Sequence, residues 1–487
     1  MSLLSESLSA RVLVSGLVGL YLLRLIYHRL ASPLSRIPGP EISRWTSIVY
    51  IYYSFRGQTP NYIHRLHEQY GPIVRTHPDQ VDICDISAAK EIYKTNSRFL
   101  KSEWYQRLVP NTQNVFSTTN PRFHAAHRRL LASPISDSSL ARVESLITDR
   151  VELAIARIGE ESKSRGVADV FKWWLFMATD IIGELSFGES FRMLELGKKN
   201  KYTTDLESLS GLQPIRTTFP WLVQLASYFP LPVAKQAAEA GKRVGMYSQQ
   251  SIDRYRRLIA ENPSDPKPTL FTKLFDTEKS GFSYDDIRQE AQGYIVAGSD
   301  TTAVTLTYLT HAVCKDSAVR DQLAAEVAGL PDQFTDHELK ELPYLSQVIT
   351  ETLRLYTAVP LGLPRAVPQE GAQFNGYAIP GGTTVSTQSY SLHRDPTIFA
   401  DPYRFNPERW ANPTQEMKDA SLPFGGGSRI CLGIHLARRE LRLATALFFR
   451  AFPHARVSTK EGMNDEEMKM KSFFLMAPQG HRCLVEV

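Results

Sequence analysis

Cysteine is scarce in this sequence. Its 487 residues include four cysteines, Cys84, Cys314, Cys431 and Cys483, which lie far apart and form no Cys-x-x-Cys pair. That spacing excludes a zinc knuckle and gives no sign of a disulfide framework. A reducing environment suits such a chain. We expect Cys84, Cys314 and Cys483 to be ordinary packed residues, because a free cysteine behaves as a small hydrophobe.

Signals of a division into several domains are also absent. The length alone predicts about three domains, yet the chain has no Gly/Ser linker, no block of like charge and no internal repeat. We therefore expect one large domain over residues 37–487, behind an N-terminal segment of residues 1–36. The net charge of +5 is small and scattered, which argues against a nucleic-acid partner. The chain also lacks a convincing flavin or dinucleotide fingerprint.

One uncharged apolar run lies near the N-terminus. It covers residues 12–23, and an extension to Tyr27 brings it to the short edge of the roughly 17 to 25 residues that a membrane-spanning helix needs. Arginines are more frequent after the run than before it, which places the C-terminal side in the cytoplasm. We expect a membrane anchor, with a cleaved signal peptide as the alternative. The following Pro38-Gly39-Pro40 cannot continue a helix, so it predicts a stiff elbow.

Shorter patterns predict local structure along the body of the chain. Residues 73–85 are typical of a hairpin that turns at Pro78-Asp79, and Asn375-Gly376 predicts a second hairpin. Residues 100–121 mix polar and aromatic side chains without a clear period, which is typical either of a surface loop or of the wall of a pocket. The apolar residues 472–476 are expected to form a strand tip, either in the core or beside a pocket.

The most distinctive stretch is residues 424–433, Phe-Gly-Gly-Gly-Ser-Arg-Ile-Cys-Leu-Gly. Glycine occurs where a backbone bends sharply or approaches another group closely. An apolar run from Ile434 to Phe449 follows at once. A helix starting there would point its N-terminal N–H groups at the Cys431 sulfur and favour the thiolate. The pattern therefore predicts a flat cofactor with a cysteine ligand, and a buried cysteine in a glycine-rich turn is the alternative.

A second unusual stretch lies inside a predicted helix. Ser283 is a good N-cap, and the helix should extend beyond His311. Gly298, in its middle, weakens a helix by up to about 1 kcal/mol relative to alanine. Asp300 and Thr301 are polar, and burying polar side chains in a helix interior is unfavourable unless they have a function there. The stretch predicts either a site for polar chemistry or a Ser/Thr kink without chemistry.

The order of these features resembles the cytochrome P450 family. The haem-binding signature of that family, Phe-x-x-Gly-x-Arg-x-Cys-x-Gly, is matched at every fixed position: Phe424, Gly427, Arg429, Cys431 and Gly433. The resemblance covers nearly the whole chain beyond residue 38. It implies a mainly α-helical domain with small β-sheets. Haem b, iron protoporphyrin IX, would lie between the long helix and the glycine-rich loop, with the cysteine as axial ligand of the iron.

The resemblance also implies roles for residues outside the loop. Thr301, with Asp300 beside it, would deliver protons during oxygen activation. Arg365 matches an arginine that binds a haem propionate, as Arg429 of the signature would. Arg128 and His124 share a helix face where family members often place an arginine and a tryptophan on a propionate, and a solvated basic helix face is the alternative.

Glu351, Arg354 and Arg409 resemble the family's buried charge network behind the haem. As an isolated pattern, the acid and base three residues apart on a helix would be weak evidence, because surface ion pairs are common and contribute little. Their meaning comes from their position between Thr301 and Cys431 in the chain. The implied role is structural, since a buried charge network that loses one member is strongly destabilised. Trp410 stands where the family often has phenylalanine.

The activity implied is monooxygenation of an apolar small molecule by O2, in the manner of membrane-bound ascomycete members of secondary metabolism. Electrons would come from NADPH through a separate NADPH-cytochrome P450 reductase, which we expect to dock near Arg438 and Arg439. The location implied is a single-pass membrane protein of the endoplasmic reticulum, with its catalytic domain facing the cytoplasm. Three rivals are a haem-thiolate isomerase or dehydratase, against which Asp300-Thr301 argues, an enzyme of desaturation or radical coupling, and a haem-binding sensor without enzymatic activity.

Overall fold

The computed structural model describes residues 30–110, 112–226, 232–261, 269–272 and 282–487, together with residues 16, 19, 20, 26 and 27. Most of the predicted membrane anchor, residues 12–27, therefore lies outside the described residues. Within the described part, no helix is both long enough and apolar enough to cross a membrane.

Helices dominate the fold, as predicted. The α-helices are, in chain order, α1 (Ile48–Phe55), α2 (Thr59–Tyr70), α3 (Ile86–Tyr93), α4 (Trp104–Leu108), α5 (Pro121–Ala132), α6 (Asp137–Ala141), α7 (Glu144–Arg165), α8 (Val170–Phe187), α9 (Met193–Leu196), α10 (Lys201–Ser210), α11 (Gln213–Thr218), α12 (Pro220–Ala226), α13 (Pro232–Glu261), α14 (Tyr284–Lys315), α15 (Ser317–Ala328), α16 (Asp336–Lys340), α17 (Pro343–Leu355), α18 (Ser389–Leu392), α19 (Gln415–Ala420) and α20 (Ile434–Ala451). Short 3-10 helices cover Pro33–Arg36, Glu41–Arg44, Pro407–Trp410, Gly427–Arg429 and Lys460–Gly462.

The strands are short and belong to small sheets. They are β1 (Ile73–His77), β2 (Gln80–Ile83), β3 (Leu100–Lys101), β4 (Ala168–Asp169), β5 (Arg365–Ala366), β6 (Ala372–Phe374), β7 (Tyr377–Ile379), β8 (Thr384–Ser386), β9 (Arg456–Val457), β10 (Met470–Ser472), β11 (Met476–Pro478) and β12 (Leu484–Glu486). The largest sheet has five strands in the order β1-β2-β8-β5-β3. A second sheet has the order β4-β12-β9, and the pairs β6-β7 and β10-β11 form two-stranded sheets. Both predicted hairpins are confirmed, with β1 and β2 turning at Pro78-Asp79 and β6 and β7 at Asn375-Gly376.

Helix α14 passes through the centre of the molecule. Its start is the predicted one: Ser283 caps it, and the Asp286 side chain accepts a hydrogen bond in return from the Ser283 N–H, which completes a capping box. From Thr302 to Cys314 every residue of the helix is buried. The same apolar cluster includes the buried faces of α7, α8, α17 and α20. A smaller cluster lies beneath the five-stranded sheet.

The packing of α14 on α8 explains Gly298. A Cβ at this position would lie 2.8 Å from Cγ1 and 3.1 Å from Cβ of Ile182. Real Cβ atoms do not approach a neighbour so closely, and these Ile182 atoms lie near the backbone, where they cannot swing aside. The residue is therefore glycine because two buried helices touch there, which the sequence alone did not indicate.

We predict that Gly298→Ala lowers the midpoint of thermal unfolding of the haem-loaded protein. Overpacking a core costs about 1 to 3 kcal/mol, whereas the gain in helix propensity is at most about 1 kcal/mol. Adding Ile182→Ala should make the loss in the double variant smaller than the sum of the two single losses. Strictly additive losses would show that the two side chains do not collide.

Candidate active site

The loop around Cys431 is shaped by its glycines. Gly427 has a φ of +56°, and a Cβ there would meet the Tyr93 carbonyl oxygen of α3 at 2.0 Å. No other residue fits without moving the backbone. The Cys431 N–H donates to the Phe424 carbonyl at 2.9 Å, which closes the loop. Helix α20 begins directly afterwards, with Gly433 as its N-cap residue.

The Cys431 thiol is unpaired and accessible. Surrounding protein atoms raise its pKa, while the Gly433 N–H, which donates to the sulfur, and the positive charge of Arg128 lower it. A side chain that is accessible and also surrounded by protein faces an internal space rather than bulk water. Because burial outweighs the two opposing effects, an additional positive charge at the sulfur, such as a metal ion, would favour the thiolate.

Beside this loop lies a cluster of four cations, Lys101, Arg128, Arg365 and Arg429. Burial, and then the positive charges of the other three cations, hold the pKa of Lys101 well below its usual range. Burial first, and then the charges of Arg365 and Arg128, lower the pKa of Arg429 to about 10. Over the described ranges, none of the four forms an ion pair with Asp or Glu.

The protein partners of this cluster are neutral oxygen atoms. Arg128 donates to the Ile430 carbonyl at 2.8 Å, Arg365 to the Tyr105 hydroxyl at 3.0 Å, and Lys101 to the Phe116 carbonyl. Buried cations are normally paired with acids. Here Lys101 and Arg365 are buried, and Arg128 and Arg429 are half-buried. Four such cations around one space, without an acid, fit a group that carries more than one negative charge, and the two carboxylates of haem meet that condition.

Lys101 is the member of this cluster that sequence reasoning missed. It is 8% exposed and reaches the cluster because β3 pairs with β5, where Lys101 lies opposite Arg365. This pairing joins residues far apart in the chain, so no local sequence signal could have identified it. The Lys101 ammonium also lies over the rings of Tyr105 and Phe116, 4.2 and 4.7 Å from their centroids.

His124, on α5, is buried next to the same cations. Burial first, and then the charges of Arg429 and Lys101, lower its pKa to about 3. The imidazole is therefore neutral at physiological pH and can donate one N–H and accept one hydrogen bond. The structure brings His124 to the cluster, where it adds a donor without adding a fifth charge.

On α14, Ala297 and Thr301 lie on the accessible face and Gly298 on the face that packs against α8. Ala297 is exposed in the middle of the long helix, and Asp300 and Thr301 are partly exposed. The Thr301 hydroxyl donates to the Ala297 carbonyl at 2.8 Å, a contact to the preceding turn that is known to bend helices. The helix remains α-helical through this stretch.

Aromatic side chains from three segments form one wall beside the cation cluster, where Lys101 lies over two of the rings. The Phe474 ring lies 5.8 Å from Trp104 and 5.7 Å from Phe116, and Phe116 lies 5.4 Å from Tyr105. The predicted strand tip is instead the turn between β10 and β11, and Phe474 sits there with a φ of +142°. Residues 100–121 thus supply two elements, β3 and α4, and part of an aromatic wall.

The expected charge network is a compact buried unit. Both Glu351 oxygens accept from Arg354 at 2.8 Å, and Arg409 Nε donates to Glu351 at 3.0 Å. The Trp410 indole N–H donates to the same carboxylate at 2.9 Å. A phenylalanine could not donate that hydrogen bond, so Trp410 adds a polar contact to the network as well as filling space with its ring.

His393 connects this network to the cysteine loop, and sequence reasoning missed it. Its Nε2 accepts from the Leu422 N–H at 2.9 Å, so the proton is on Nδ1, which donates to the Arg354 carbonyl at 2.8 Å. Burial, followed by the Arg354 and Arg394 charges, outweighs that bond and lowers the pKa of His393 to about 3, which keeps this tautomer neutral. Leu422 lies two residues before Phe424.

Known proteins similar to this chain share one family. The sequence model of the family described as Cytochrome P450 matches residues 38–485. Cytochrome P450 monooxygenase tazI of Aspergillus terreus is 51% identical over 466 residues, which is 95% of this chain and 95% of that protein. Cytochrome P450 monooxygenase orf2 of Aspergillus niger is 47% identical over 97% of both chains. Cytochrome P450 monooxygenase stcB of Emericella nidulans is 34% identical, over 93% of this chain and 88% of that protein.

We predict that Lys101→Met speeds the loss of haem to an acceptor such as apomyoglobin, followed by its Soret absorbance. A hydrogen bond to a charged group contributes about 1.5 to 3 kcal/mol, so the rate should rise by about tenfold or more. The control is Lys90→Met, because Lys90 is exposed and paired with Asp419. Equal rates of haem loss in both variants would show that Lys101 does not bind the haem.

Proposed function

The chain belongs to the cytochrome P450 family of haem-thiolate monooxygenases, and from that premise we propose that Cys431 is the axial thiolate ligand of a haem b. The observation that carries the proposal is the position of an unpaired, accessible cysteine beside four buried or half-buried cations that have no acidic partner among the described residues. Thiolate-ligated haem supplies activation of O2 when it is bound.

The residues around Cys431 would hold the cofactor by charge and by shape. Arg128, Arg365, Arg429 and Lys101 would bind the propionates, since guanidinium groups bind carboxylates in a bidentate manner, and His124 would add a neutral donor. Phe424 and Gly433 would lie against the flat ring, and Gly427 holds the loop against the backbone of α3. A cationic cluster without acids supports this assignment.

Proton delivery is proposed for Thr301 and Asp300. The Thr301 hydroxyl donates a hydrogen bond to the Ala297 carbonyl. Rotation about χ1 of Thr301 would redirect the hydroxyl proton toward the accessible face of α14. Asp300 is adjacent and partly exposed, so it can exchange protons with solvent. Such a pair matches a monooxygenase, whereas an isomerase or dehydratase needs no protons for oxygen activation. Glu351, Arg354 and Arg409 would keep a structural role.

The proposed substrate is an apolar small molecule of fungal secondary metabolism, which the enzyme would hydroxylate, epoxidise or desaturate. The aromatic wall of Trp104, Phe116 and Phe474 supports an apolar substrate, because burial of apolar surface against such rings is favourable. Relatives from Aspergillus species support a fungal oxidation. A haem sensor without enzymatic activity is the second candidate function. Such a sensor would not require proton delivery by Asp300 and Thr301.

The electron donor proposed is NADPH-cytochrome P450 reductase, docking on the face where α20 begins. The structure corrects one docking residue: Arg439 is 2% exposed and is bound to Asp137, Glu144 and Asp336, so it cannot reach a partner. Arg438 is exposed and lies over Phe424 of the cysteine loop, 5.7 Å from the ring centroid. It therefore remains the candidate for binding an acidic surface.

The proposed location is the endoplasmic reticulum membrane, with a single N-terminal span and the catalytic domain in the cytoplasm. The apolar run of residues 12–23 supports a span. A second support is a set of exposed apolar side chains on α1 and α12, two helices that both contact α11. These exposed side chains include Ile48, Tyr52, Phe55, Trp221 and Leu222. Exposed apolar patches of this kind mark surfaces that contact membranes or proteins.

We predict that Thr301→Ala uncouples the reaction in the enzyme reconstituted with its reductase. NADPH oxidation should continue, while product formed per NADPH falls by about tenfold or more and hydrogen peroxide rises, because the proton donor is lost. The substrate is a compound that the wild type oxidises with incorporation of one atom from labelled O2. Thr305→Ala is the control, because the Thr305 hydroxyl is buried and donates to the Thr301 carbonyl. Unchanged coupling in Thr301→Ala would contradict the assignment.

We predict that Arg438→Glu slows reduction of the haem by the reductase by about tenfold at low salt, since charge reversal at a docking surface lowers the association rate. Haem content should be unchanged. Arg439→Ala should instead lower stability by about 1 to 3 kcal/mol, because Glu144 loses its cation while Asp336 keeps Arg442. Stopped-flow reduction under carbon monoxide measures the first effect. A normal rate in Arg438→Glu would place the docking surface elsewhere.

A further inference from the structure

A cavity of about 430 Å³ lies at the far end of α14, away from the cysteine loop. It is lined by the end of α14, the start of α15, the end of α17 and the loop before the 3-10 helix Pro407–Trp410. His311, at its inner wall, is ten residues beyond Thr301, which corresponds to about 15 Å of helix. The cavity is therefore separate from the proposed haem site, and its size is that of a small-molecule site.

One buried polar group in this cavity has no protein partner among the described residues. His311 is 7% exposed, and its Nε2 is buried without a hydrogen bond. Leaving such a group unpaired costs about 1 to 3 kcal/mol, so native proteins rarely bury one without a use for it. His311 therefore points to a ligand that can accept or donate a hydrogen bond.

The charges around the cavity leave one cation uncompensated. Lys315 is paired with Asp465 at 2.6 Å. Asp316 accepts from the Ala318 and Val319 N–H groups at 3.0 and 3.3 Å, so its charge is offset by the positive end of α15. Arg404 is exposed, and among the residues that the structure describes its guanidinium has no acidic partner. The remaining charge favours an anionic ligand.

One wall of the cavity is aromatic. Tyr356 stacks on Tyr308, with ring centroids 4.7 Å apart and planes at 10°, and Phe405 lies 6.5 Å from Tyr356. The His311 imidazole is neutral, because burial first and then Lys315 lower its pKa to about 4. A neutral imidazole and a phenol beside flat rings suit a planar ligand that carries a hydroxyl group.

We propose that this cavity is a second small-molecule site, which binds a planar aromatic carboxylate of the hydroxybenzoate class. The Arg404 guanidinium would bind the carboxylate in a bidentate manner, the ring would lie against Tyr356 and Phe405, and the ring hydroxyl would bond to His311 Nε2. The occupant sits next to the Glu351 network, since the Arg404 carbonyl accepts from Arg354 at 3.2 Å and from Arg409 at 3.3 Å.

The test uses the full haem-loaded protein with its iron site saturated by an azole, so that the probe cannot bind at the haem. The probe is 5-fluorosalicylate, observed by fluorine NMR line broadening. A ligand of this size should bind with a dissociation constant of about 1 mM or below. Arg404→Ala should weaken binding by about tenfold or more, and His311→Leu should weaken it severalfold. Arg257→Ala, a change at an exposed arginine on α13, should leave it unchanged.

Three results would overturn the proposal. They are no broadening with the wild type up to about 10 mM probe, equal binding by Arg404→Ala and Arg257→Ala, and binding that occurs only without the azole. The azole absorption spectrum of each variant reports whether its haem domain is folded. Arg404 is exposed and holds the network through its backbone carbonyl, so Arg404→Ala should give the wild-type spectrum.

Discussion

Repulsion among four neighbouring cations, two of them buried and two half-buried, is the constraint on which the site depends. Lys101, Arg128, Arg365 and Arg429 are brought together by a strand, a helix, a second strand and the cysteine loop, and all four find only neutral oxygens in the protein. Like charges held in a medium of low dielectric repel strongly. An anionic cofactor removes that repulsion, so its binding and the order of these segments are coupled.

The other half of the site is held from behind by charges that are fully compensated. Glu351 accepts from Arg354, Arg409 and Trp410. Arg354 also donates to the backbone carbonyls of His393, Pro402 and Arg404. His393 then joins Arg354 to Leu422. A chain of satisfied, buried hydrogen bonds rigidifies its surroundings. The cysteine loop is thus fixed in position before any ligand binds, while the cation cluster supplies the drive for binding.

Local chemistry was enough to predict much of this architecture. The Ser283 cap, the turn at Pro78-Asp79 and the helix after Gly433 each depend on neighbouring residues, so their signals lie within a short window. The cysteine motif was equally visible, because a close backbone approach demands glycine at fixed spacing, as at Gly427. The prediction of a mainly helical fold with small sheets rested instead on the family resemblance.

What the sequence could not provide depends on contacts between distant segments. Lys101 belongs to the cation cluster through strand pairing, and Arg439 is removed from the docking surface by acids on α6, α7 and α16. Gly298 is explained by Ile182 on another helix and not by the chemistry of its own helix. In each case the residue type was compatible with several roles, and only its partner in space selects among them.

The central claim is that Cys431 supplies a thiolate to haem iron. The most direct test is the absorption spectrum of the reduced, carbon-monoxide-bound protein, recorded for the wild type beside Cys431→His. The account predicts a strongly red-shifted Soret band in the wild type and its loss in the variant, because only a thiolate ligand donates that much electron density to the iron. A wild-type band at the position typical of imidazole-ligated haem would contradict the account and favour the sensor.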